Sequence, residues 1–114
     1  LTDKEKLRQR FLRDPLPVRL GGIAATLGRI SSSARTPESQ VQVANMLDEA
    51  KHLIEWTAAD TDPEVAADLV QIQRLIVLWQ KLGPETNNNQ TLRILLATLA
   101  KEWSEKTLAH SGLL

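Results

Sequence analysis

The chain has 114 residues, enough for one domain with its own apolar core. It contains no cysteine, which excludes disulfides, a thiolate nucleophile and any cysteine-based zinc site, and which fits a reducing, cytoplasmic location. Its fourteen basic and fourteen acidic residues cancel, but residues 1–35 carry eight basic and three acidic (net +5) while the rest carries six and eleven (net −5).

No stretch of about 18 apolar residues exists to form a transmembrane helix. The start, Leu1-Thr2-Asp3-Lys4-Glu5, is polar and shows no signal peptide. Leu, Ala, Gln, Glu and Arg abound while Tyr is absent and Phe occurs once, a bias toward helix and away from strand.

In chain order, Thr2 followed by Glu5 reads as a capping box opening a short helix over residues 1–13. Pro15 and Pro17 disfavour helix at Asp14 and Leu16, so residues 14–17 are expected to connect. A second helix is predicted over 18–34, with Leu20, Ile23, Leu27 and Ile30 making one buried stripe. Gly21, Gly22, Ala24, Ala25 and Gly28 are small. Because Gly costs about 1 kcal/mol against Ala inside a helix, they imply either close approach by another helix or fraying after the prolines. Ser31-Ser32-Ser33-Ala34-Arg35 reads as a connector or a modification site.

Thr36-Pro37-Glu38 opens a helix over 37–57, with Val43, Leu47, Ala50 and Ile54 inward. Asp62-Pro63-Glu64 repeats the device for a helix over 63–82. Its main face is Val65, Leu69, Ile72, Leu75, Ile76, Trp79 and Leu82. A second stripe of Ala66, Val70 and Val77 makes it either the central helix or one that faces another subunit. Gly83-Pro84 is expected to end it with a left-handed glycine. Asn87-Asn88-Asn89 is a polar link whose last Asn can cap a final helix over 90–109, with Leu92, Leu95, Leu96, Leu99 and Trp103 inward and Gly112 at its end. Short links favour antiparallel neighbours. The expected fold is therefore all-α: an up-and-down four-helix bundle with a short extra N-terminal helix.

Chemistry is sparse. Glu49-Ala50-Lys51-His52 has the Glu-x-x-His spacing of di-iron bundles, with Asp48 and Glu55 near His52, but the motif occurs once where such bundles need two. Glu49 and His52 are thus a weak metal candidate, set against an exposed histidine among charge pairs. No nucleophile–base pair stands out and no phosphate loop is present, so no catalytic residue and no cofactor is assigned. The basic residues Lys4, Arg8, Arg10, Arg13 and Arg19 could meet nucleic-acid phosphates, although Asp3, Glu5 and Asp14 interrupt them. Trp56, Trp79 and Trp103 read as core caps or as an aromatic docking patch.

The stretch Arg13-Asp14-Pro15-Leu16-Pro17-Val18-Arg19-Leu20-Gly21, with Ile30-Ser31-Ser32 and Ile54-Glu55-Trp56-Thr57, resembles a small family of uncharacterised proteins from cyanobacteria. The likeness spans roughly Leu12 to Trp103. It implies a cytoplasmic all-helical protein and brings no activity, ligand or catalytic residue. The function expected from these features is non-catalytic protein–protein interaction, by self-association as a homodimer or by docking another protein. Ala66, Val70 and Val77 form its interface, and the charge split steers it.

Overall fold

A computed structural model describes residues 1–113, and every regular element among them is helical. Helix α1 spans Asp3–Leu12, α2 Leu16–Ala34, α3 Gln40–Thr57, α4 Pro63–Lys81, α5 Gly83–Asn87 and α6 Gln90–Ser111. Short 3-10 turns, Pro37–Ser39 and Ala58–Asp60, flank α3.

Local chemistry sets most boundaries. The Thr2 hydroxyl accepts from the Glu5 amide at 3.1 Å, and the Glu5 carboxylate accepts from the Thr2 amide at 3.3 Å, closing the capping box of α1. Asn89 caps α6 by accepting from the Leu92 amide at 3.1 Å, and Gly112 ends it at φ +73°. Other starts differ from expectation. Helix α2 begins at Leu16, because a proline within the first turn removes an amide that has no helical partner anyway. Thr36 caps no α-helix with its side chain. Instead Gln40 donates to the Ala34 and Thr36 carbonyls at 3.1 and 3.0 Å, tying down the 3-10 turn before α3.

Gly83 is not a left-handed stop. Gly112 is the one glycine with positive φ among the described residues, and Gly83 opens the one-turn helix α5. A residue before proline is crowded by the proline ring through its own Cβ, which glycine lacks. Ser31, Ser32 and Ser33 are not a loop either, since α2 runs through them to Ala34.

Helix α2, not α4, is central: it packs along both α3 and α6, whereas α4 packs along α3 and touches α6 over a short length. Ile23, Leu27 and Ile30 of α2 are fully buried, as are Ile54, Leu69, Ile76 and nearly so Leu96. Each such side chain contributes about 1.5–3 kcal/mol of burial.

Two of the small residues of α2, Ala24 and Gly28, serve its contact with α6, whereas Gly22 faces Phe11 of α1. The Ser104 hydroxyl donates to the Ala24 carbonyl and the Ser31 hydroxyl to the Ala97 carbonyl, each at 2.7 Å. Side-chain-to-backbone bonds of that length require backbones close enough that only small residues fit between them. Ala24, Ala97 and Ala100 are buried there, while Ala25 is exposed and takes no part. Two leucines expected inside are also outside: Leu82 is 41% and Leu95 46% exposed. Leu95 sits 100° around α6 from Leu96, on the side where only α4 could cover it, and α4 meets α6 too briefly to do so.

Candidate functional site

The basic segment divides on folding. Lys4, Arg8, Arg10 and Arg13 are exposed on or just after α1 and form no ion pair with a described residue. Arg19 leaves this set. It is 8% exposed, its Nη1 donates to the Asp60 carboxylate at 2.9 Å, and it pins the start of α2 to the turn between α3 and α4. Arg29 lies 3.7 Å from Glu49. Both pairs join the basic first third of the chain to the acidic stretch Glu38–Glu64, so part of the charge split is neutralised within one molecule.

Helix α1 lies against α3 in the same sense. Phe11 meets Trp56 with ring centroids 6.3 Å apart, and a groove between the helices is lined by Asp3, Lys4, Leu7, Asp48, His52 and Trp56. Trp79 and Trp103 are buried core residues, and Trp56 is half-buried beside α1.

Glu49 and His52 are turned to different partners. Glu49 faces Arg29, whereas the His52 nitrogens stand 3.2 Å from Glu55 and 3.6 Å from Asp48, with the ring stacked on Trp56 at 5.9 Å. No group of three or more metal-ligating side chains comes together among the described residues.

Ala66, Val70 and Val77 are half-buried on the α3 side of α4. Gln73, between them on the same side, donates to the Lys51 carbonyl at 3.3 Å. Val77 and Leu78 continue into a shallow groove with Lys51, Gln73 and Arg74. The opposite side of α4 faces α6: Asp68 accepts from His110 at 2.7 Å and stands 3.3 Å from the Lys106 ammonium. The hydrogen bond from His110 holds the Asp68 carboxyl below its ordinary value, aided by Lys106.

Two features escape sequence reasoning. Arg93 is 8% exposed, donates to the Asn87 carbonyl at 2.8 Å, and keeps its Nε without a partner. Its one sequence signal is its place three residues before the buried Leu96, on the inward side of α6. The other is an apolar pocket of about 230 Å³ at the α5 end, walled by Val43, Leu47, Trp79 and Leu96. Long-range packing around α5 creates it, and the sequence shows no helix there.

The class defined by these elements is an all-α domain rich in surface charge pairs. No helix of the described residues is long and apolar enough to cross a membrane. Comparison with protein-family models, curated proteins and solved structures gives no match.

Proposed function

We propose that this chain is a non-catalytic helical domain that works by binding protein, through self-association as a homodimer. Helices α2, α3, α4 and α6 are taken as an up-and-down four-helix bundle with α1 on its flank. Antiparallel contacts support that topology at each neighbouring pair: Arg29 with Glu49, Gln73 with Lys51, Asp68 with His110, and Ser31 with Ala97. The resemblance at residues 13–21 and 54–57 supports a cytoplasmic setting in a cyanobacterial family.

The observation that carries the binding role is apolar surface left outward beside a filled core. Leu78 is 53% exposed, with Leu82 and Leu95 also well exposed. The half-buried Ala66, Val70 and Val77 offer less area than the sequence implies. Light scattering at low and high salt tests the role. A dimer is expected, and because Arg19 and Arg29 already have intramolecular partners, those two residues should add little to any salt dependence it shows. A monomer at every concentration overturns self-association.

One observation favours a second reading: Lys4, Arg8, Arg10 and Arg13 remain exposed and free of ion pairs with described residues, as phosphate-binding cations must. Duplex DNA binding that falls steeply with salt, and is lost when these four become Gln, would carry that reading. The metal reading at Glu49 and His52 is not retained, because Arg29 and Glu55 engage them separately.

A further inference from the structure

We infer that a second copy of this chain covers the α4–α6 face, α4 of each copy lying on α6 of the other. This rests on the self-association reading and names its surface.

The face follows from spacing. Asp68 and Lys106 mark the sides of α4 and α6 that meet. Leu75 and Leu82 lie seven and fourteen residues after Asp68, on the same side of α4. Leu99 and Leu92 lie seven and fourteen residues before Lys106, on the same side of α6. Antiparallel helices therefore put Leu75 level with Leu99 and Leu82 level with Leu92. Leu78 and Leu95 complete a three-then-four spacing on each helix, the repeat of a helix-packing seam. Here the seam is open. Leu78, Leu82 and Leu95 are exposed and the other three half-buried.

Area and charge both fit a second copy. Two helices of 19 and 22 residues side by side present a face on the order of 600 Å² in projection. A standard interface takes about 800 Å² of accessible surface from each partner. The outer flank of α4 carries Arg74 and Lys81, and that of α6 carries Glu102 and Glu105. All four are exposed and unpaired among the described residues. Lys106 is held by Asp68.

A two-fold axis parallel to the helices lays α4 on the partner's α6. It brings Arg74 within about one helical turn of the level of Glu102 in the other copy. The alternative axis, across the helices, lays α4 on α4 and sets Arg74 and Lys81 against their own copies, like charge on like.

The test is molar mass by light scattering on the full chain and its variants. The wild type is expected to dimerise. Leu78→Asp with Leu95→Asp, both at exposed positions, is expected to weaken dimerisation by at least about 100-fold with an unchanged circular-dichroism melt. Arg74→Glu and Glu102→Arg, each weaker alone, are expected to pair preferentially when mixed, because both cross-copy contacts then regain opposite charges. Native mass spectrometry of the mixture reads this directly. A dimer that survives the two leucine replacements overturns the seam and leaves self-association standing. A leucine-dependent dimer without preferential pairing overturns the orientation. A wild-type monomer at every concentration, or a leucine face occupied only by a different protein, overturns the second copy.

Discussion

Gly28 lets the closeness of α2 and α6 be measured. A Cβ added at this position would lie 3.5 Å from the Ser104 hydroxyl oxygen, an ordinary van der Waals contact. Gly28→Ala therefore recovers helix propensity, about 0.8–1.0 kcal/mol, without overpacking. The expected net gain is about 0.5–1 kcal/mol, or roughly 2–6 °C in Tm for a domain of this size. Gly28→Leu carries three more carbon atoms into the same space, where overpacking costs about 1–3 kcal/mol and outweighs the propensity gain. Urea unfolding followed by far-UV circular dichroism, with tryptophan fluorescence as a second probe, gives both values. A loss of more than about 0.5 kcal/mol in Gly28→Ala would refute the reasoning, because the helices would then be closer than the 3.5 Å contact allows.

Three further outcomes are expected. Asp68 has its carboxyl lowered chiefly by the His110 hydrogen bond, so the stability it contributes is present above the ordinary Asp value of about 3.9. That contribution is lost as pH falls through the lower folded value. Urea midpoints of wild type and Asp68→Asn should accordingly differ at pH 6 and converge in strong acid; a gap that widens on acidification would reverse the sign. Arg93→Met exchanges a buried cation with an unpartnered Nε for an apolar chain of similar length, and stability should stay within about 1 kcal/mol of wild type or rise. A loss of 3 kcal/mol or more, on the scale of about 3–5 for breaking a buried pair, would mean that Arg93 has a counter-charge in solution. Arg19→Ala should destabilise more than Asp60→Asn, since Arg19 also loses packed stem where Asp60 is exposed; equal losses by thermal melting would reduce Arg19 to its ion pair.

Features set within one helical turn were legible in the sequence. The Thr2–Glu5 box, the Asn89 cap and the Gly112 stop need only neighbours three or four residues away. Glycine before proline was not, because Gly83-Pro84 can equally end one helix or open another. Partners across the chain were also invisible. Arg19 reads as one more cation of a basic run until Asp60, 41 residues on, is brought beside it. Leu82 and Leu95 fit an inward stripe by spacing alone, and only the short contact between α4 and α6 puts them outside. The glycines and alanines of α2 fitted either a close neighbour or fraying after the prolines, and did not say which helix the neighbour was.

The serine bonds between α2 and α6 bear on how fast the chain folds. They join residues 66 and 80 positions apart, so the most extensive helix contact among the described residues is also among the least local. Neighbouring helices can pair early at small loop cost, but α2 and α6 meet only after most of the intervening chain has been drawn in. Folding should then be slower than in a helical protein of this length held together by sequential hairpins. If the α2–α6 seam closes after the rate-limiting step, Ser104→Ala will speed unfolding and leave the refolding rate nearly unchanged in stopped-flow traces.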